Sequence, residues 1–123
     1  MILRHFLLFI AWLLVSTVLL VLPGSAFPSD DWMSRIYFDK WVHIGMFGTG
    51  TFVLCRGLWK AAALDLKKSF LAATFICLGY GIIMEFVQKH FVANRSFDTG
   101  DILADAAGAA LGLWLSLRVY TKK

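Results

Sequence analysis

The chain has 123 residues, of which 59% are hydrophobic and 16% charged, and its net charge is +4. Soluble domains carry about 25% charged residues, so this composition excludes a water-soluble globule and points to one integral membrane domain over residues 1–123. The positive charge is not a nucleic-acid signal, because the basic residues gather at the ends of apolar runs, and Cys55 and Cys77 show neither CxxC nor metal-ligand spacing and read as small buried hydrophobes.

The first apolar run covers residues 6–22. Its basic start and the small residues Gly24-Ser25-Ala26 would suit a signal peptide, but its apolar core exceeds the usual 7–15 residues and approaches the roughly 20 that cross a bilayer. It is read as a retained first span. Residues 23–40 form a connection with Pro23, Pro28, Asp30, Asp31 and a group of aromatics, as in a headgroup belt. The second span is expected at 41–58, with Gly45, Gly48 and Gly50 as small residues that allow close helix approach in lipid. A short basic connection at 59–68 leads to a third span at 69–91. Residues 92–99 connect it to a fourth at 100–120.

Basic residues set the expected orientation. Arg4, Arg56, Lys60, Lys67, Lys68, Arg118, Lys122 and Lys123 fall on one side, against Arg35, Lys40, Lys89 and Arg95 on the other. The positive-inside rule places the larger set in the cytoplasm. The expected architecture is therefore an all-α, compact bundle of four transmembrane helices with both termini cytoplasmic.

The polar residues within the spans carry the functional argument, because an ionisable group there costs roughly 2.5–3.5 kcal/mol even on the mildest scale. Asp39, His43 and Phe47 repeat at i, i+4 and share one face. Gly81, Glu85 and Gln88 share a face of the third span. Asp101, Asp105, Gly108 and Gly112 run down the fourth, where Gly108-x-x-x-Gly112 is a small-xxx-small contact. If these faces meet, His43, Glu85, Asp101 and Asp105 converge near the outer end, with Arg95 offsetting part of their charge. The bland readings are helix-to-helix hydrogen bonds for His43 and Glu85, an N-cap for Asp98 and an interfacial arginine at Arg95. Gly45, Gly48, Gly81, Gly108 and Gly112 are the expected packing positions.

The pattern Asp39-Lys40-x-x-His43-x-x-x-Phe47, then Gly81-x-x-x-Glu85-x-x-Gln88, then Arg95-Ser96-Phe97-Asp98-x-x-Asp101-x-x-x-Asp105-x-x-Gly108-x-x-x-Gly112 resembles the VanZ-like family. The resemblance covers residues 39–113. It implies a small bacterial membrane protein, and the founding member is associated with resistance to the glycopeptide teicoplanin. The family positions carried over are His43, Glu85, Gln88, Arg95, Asp98, Asp101 and Asp105. Two positions depart from the pattern: Asp105 stands where Asn is common, and no proline shortly precedes Arg95.

Three functions compete. In the first, an outward polar pocket of Lys40, His43, Glu85, Gln88, Arg95, Asp98, Asp101 and Asp105 engages a membrane lipid headgroup, a lipid-linked envelope precursor or a lipoglycopeptide, with Lys40 and Arg95 suited to phosphate or carboxylate. In the second, His43, Glu85 and Asp101, with Asp105, perform acid–base chemistry on such a lipid or bind a divalent metal through oxygen and imidazole, for which one histidine among several acids is a poor zinc set and suits Mg²⁺ or Mn²⁺ better. The sequence has no HExxH, no GxSxG and no phosphate-cradling glycine loop, so a non-enzymatic role is favoured and no metal or cofactor is expected. The third is a proton-coupled transporter or flippase, which four spans support only as a homo-oligomer.

Overall fold

The computed structural model describes residues 1–26, 32, 36–93 and 95–121. Pro28, Asp30, Asp31, Arg35, Lys122 and Lys123, used above for the connection and the charge balance, lie outside the described residues. A short 3₁₀ turn, Ile2–Phe6, runs into helix α1, Leu7–Val21; the other long helices are α2, Phe38–Lys60, α3, Leu66–Phe91, and α4, Thr99–Tyr120. The architecture is all-helical, as the sequence implied.

Helix boundaries follow local chemistry. α3 starts three residues earlier than the apolar run because the Asp65 side chain accepts the Lys68 N–H at 3.1 Å and caps the first turn. Asp98 does the same for α4, accepting from Gly100 N–H at 2.8 Å. α2 also starts three residues before its apolar stretch, which brings Asp39 and Lys40 into its first turn. α2 ends in a Schellman arrangement: Ala63 N–H donates to the Leu58 carbonyl and Ala62 N–H to the Trp59 carbonyl, both at 3.1 Å. Ala62 holds the left-handed position, φ 58°, that glycine usually fills.

The runs Ile2–Val21, Leu66–Phe91 and Thr99–Tyr120 are long and apolar enough to cross a membrane. α2 has the length but not the hydropathy, because Gly45, Gly48, Gly50, Gly57, Thr49, Thr51, His43 and Arg56 interrupt its apolar residues. The distribution of polarity is that of a protein dissolved in lipid. His43, Thr51, Glu85, Gln88, Asp101, Asp105 and Ser116 are buried, while Phe75, Ile76, Ile83, Leu103, Leu111 and Trp114 are exposed. In water, an apolar surface so extensive would drive association.

α2 and α4 form the largest interface, and glycine makes it possible. A Cβ at Gly108 would strike the Ile44 carbonyl oxygen, and one at Gly112 would lie 2.5 Å from the Gly48 carbonyl oxygen. The small-xxx-small face is thus used within the chain. Gly48 and Gly81 are also packed, the latter against Asp105 and Phe47. Gly45, expected as a fifth packing position, has nothing within 4 Å of an added Cβ: it falls on the other side of α2. Gly50 and Gly57 seat the Trp12 and Phe6 rings instead. α1 lies against this core through the Trp12 indole N–H, which donates to the Met46 carbonyl at 2.8 Å, and through Thr17, whose hydroxyl is 2.7 Å from Tyr80 Oη.

Candidate functional site

The helix directions bring four ends together: α1 and α3 finish where α2 and α4 begin. Three of the chain's polar motifs lie at this end. Asp39, Lys40 and His43 come from the first two turns of α2, Glu85 and Gln88 from the last two of α3, and Asp98, Asp101 and Asp105 from the start of α4. The α2–α4 glycine contacts position Asp105 one turn from the closest backbone approach, so the His43–Asp105 pairing depends directly on that packing.

His43 Nδ1 is 2.7 Å from Asp105 Oδ1, both side chains being buried, and its Nε2 is 3.6 Å from Asp101 Oδ2. The imidazole stacks parallel to the Phe47 ring, with centroids 6.3 Å apart. Lys40 Nζ lies 2.8 Å from Asp39, 2.6 Å from Asp98 and 2.6 Å from Asp101. This ammonium holds the Asp98 carboxyl below its usual range, assisted by the Gly100 N–H against the opposing effect of partial burial. Glu85 accepts the Asp98 backbone N–H at 3.1 Å, tying the end of α3 to the cap of α4.

Two groups of side chains stand close enough to hold a metal ion: His43, Glu85 and Asp101, and separately Asp39, Asp98 and Asp101. The Lys40 ammonium already satisfies the second group. The first is buried and brings one imidazole and two carboxylates together from three helices.

A model of the family described as VanZ/LLP1 matches residues 6–120. The chain belongs to the VanZ/LLP1 family. No curated protein and no solved structure matches it. With three helices able to cross a bilayer, this VanZ/LLP1 member is a membrane protein.

Of the positions singled out in the sequence, His43, Glu85, Asp98, Asp101 and Asp105 meet in one cluster with Lys40. Gln88 and Arg95 make contacts of a different kind. Gln88 Nε2 donates to the Leu20 carbonyl at 2.9 Å, and Arg95 donates from Nε to the Leu22 carbonyl at 3.2 Å and from Nη2 to the Leu19 carbonyl at 3.4 Å. They satisfy carbonyls that the end of α1 leaves open. Among the described residues, Lys40 is an ammonium paired with three of these carboxylates, alongside the Arg95 that the sequence had put forward as a neutralising cation. The features that sequence reasoning missed are the role of Lys40 as a three-way ion-pair centre and the Tyr80 hydroxyl that joins α3 to Ser16 and Thr17. The one available signal was the position of Lys40 one turn before His43, which places it above the same cluster once the helix is extended to Phe38.

Proposed function

We propose that this VanZ/LLP1 protein is a four-span protein of the bacterial cytoplasmic membrane, with both termini in the cytoplasm, whose outward-facing cluster engages the polar head of a membrane-resident lipid. The observation that carries this reading is the burial of His43, Glu85, Asp101 and Asp105 at one end of a bundle whose outer surface is apolar. Such groups in lipid are costly and mark functional sites by default. α2 is the fourth span: it has 23 residues, enough for about 30 Å, and its His43 and Thr51 are buried. Basic residues at the opposite end, including Arg56, Lys60, Lys67 and Lys68, support a cytoplasmic location for that end.

The charge of the site narrows the ligand. Five carboxyl groups, on Asp39, Glu85, Asp98, Asp101 and Asp105, surround one ammonium and one imidazole. Lys40 is committed to three of them, so a bare phosphate gains little from it. A head rich in hydroxyl or amine donors fits the acceptor excess, and lipid-linked envelope precursors and lipid-tailed glycopeptides both carry such groups. A proton-relay oligomer built on the Gly108–Gly112 face is disfavoured, since that face packs against α2. One observation favours an enzymatic reading as runner-up: the Asp105 contact orients His43 as a carboxylate orients a general base.

The test is mass spectrometry of lipids that copurify in mild detergent with wild type, Glu85→Gln and His43→Gln. A specific lipid enriched on wild type and lost from both variants supports the reading. Identical bulk lipid on all three overturns it and leaves the cluster as polar attachment between helices. Turnover of the enriched lipid by wild type but not by Glu85→Gln would establish the enzymatic version.

A further inference from the structure

His43, Glu85 and Asp101 are 6%, 1% and 8% exposed, and a ligand atom of each lies within 4.8 Å of the other two. The imidazole is oriented from behind. Its Nδ1 faces Asp105 Oδ1 at 2.7 Å, and because a carboxylate only accepts, the ring proton belongs on Nδ1 and Nε2 presents a lone pair. That lone pair makes no hydrogen bond among the described residues; it faces Asp101 Oδ2 at 3.6 Å, another acceptor. Glu85 supplies a third. Three buried acceptors directed at one another are unfavourable without positive charge between them, whether a metal ion or an added proton. Lys40 does not fill that role, since its three protons are matched by Asp39, Asp98 and Asp101 Oδ1.

The spacing suits a metal ion. Two ligands each about 2.0–2.2 Å from an ion, at a tetrahedral angle, stand about 3.4 Å apart, close to the 3.6 Å between His43 Nε2 and Asp101 Oδ2. The carboxylate behind the imidazole is the usual outer-shell partner of a metal-binding histidine. We infer that His43, Glu85 and Asp101 form a divalent-cation site, with Asp105 as the positioning residue. One imidazole with two carboxylates selects Mn²⁺ or Zn²⁺ over the all-oxygen preference of Mg²⁺ and Ca²⁺. Metal binding here stands apart from the lipid reading. The further consequence, that the ion gives an acid-rich site a place for an anionic head, rests on that reading.

The experiment uses the full chain in mild detergent at neutral pH, stripped with chelator, in a His5→Gln/His90→Gln background that leaves His43 as the sole imidazole among the three histidines. Mn²⁺ is titrated and free ion read by electron paramagnetic resonance. Pulsed measurements then seek nitrogen coupling to the bound ion, and Zn²⁺ is tested by competition. The expected result is one ion per chain with imidazole nitrogen coupling, and at least tenfold weaker binding in Glu85→Gln and His43→Gln. Asp65→Asn, at the opposite end of the bundle, should bind as the background does. Absence of stoichiometric binding of either metal shows that protons on the cluster, and not a metal ion, neutralise it, and overturns the inference. Binding without nitrogen coupling overturns it equally, and this readout needs no variant of the site to fold. Lipid enrichment without metal would separate the two proposals.

Discussion

Substituting Gly112 by alanine tests how closely the site depends on the helix contact beneath it. An added Cβ would lie 2.5 Å from the Gly48 carbonyl oxygen and 2.9 Å from Thr51 Cβ, whereas ordinary contact begins at 3.4 Å. Neither obstacle is the tip of a flexible side chain, so α4 must retreat from α2 by about 0.9 Å, the difference between the ordinary contact and the carbonyl distance. Carried up α4 to Asp105, that retreat stretches the 2.7 Å contact with His43 to about 3.6 Å, beyond hydrogen-bond range. Overpacking costs about 1–3 kcal/mol and the lost hydrogen bond about 0.5–1.5 kcal/mol, together roughly 1.5–4.5 kcal/mol. Gly45→Ala is the control, because nothing lies within 4 Å of its Cβ; it should fall within about 1 kcal/mol of wild type, on the stable side. Both are measured by reversible unfolding in mixed detergent and sodium dodecyl sulfate, followed by circular dichroism and tryptophan fluorescence. If Gly112→Ala unfolds with wild type, or Gly45→Ala loses as much, the close-contact account of the α2–α4 interface is refuted.

Gln88→Ala leaves the Leu20 carbonyl without its donor and should destabilise the chain by about 1–3 kcal/mol, with protease sensitivity rising first near α1 rather than in the α2–α4 core. Ala62→Gly relieves a left-handed alanine and should raise stability by about 1 kcal/mol in the same unfolding assay; an unchanged midpoint would show that the turn is not under strain. In cells, with the buried Cys55 and Cys77 replaced by alanine, an impermeant maleimide should label Ser96→Cys from outside and Leu64→Cys only after permeabilisation. Labelling of both from one side would refute the four-span topology.

The polar cluster was legible because spacing reveals a shared face, and because ionisable residues are conspicuous in apolar runs. Asp98 was recognisable as a cap, and Gly108 and Gly112 as a contact face, for similarly local reasons. What stayed hidden depended on partners distant in the chain. Gln88 and Arg95 reach backbone carbonyls 68 to 76 residues away, and a backbone acceptor leaves no mark in the sequence. Gly45 looked like its neighbours Gly48 and Gly50, but small rotations about the α2 axis decide which glycines meet another helix. The extra turns at the starts of α2 and α3, Phe38-Asp39-Lys40 and Leu66-Lys67-Lys68, each carry two charged residues, so the apolar runs stopped short of them.

The contacts at the end of α1 bear on the order of membrane insertion. In the four-span arrangement α1 enters the bilayer before any of its partners, and it is the most apolar of the three candidate spans, so it can reside in lipid alone. α2 cannot. Its His43 is matched by Asp105 of α4, which is synthesised after it, and its hydropathy is the weakest of the four long helices. Until α4 arrives, α2 must be held at the insertion machinery or rest on α1 through Trp12 and Met46. Only when α3 and the segment after it have emerged do Gln88 and Arg95 reach the carbonyls of Leu19, Leu20 and Leu22. The end of α1 is thus fastened only after α3 has emerged, and a chain truncated before Gln88 would leave the carbonyls of Leu19, Leu20 and Leu22 without these donors.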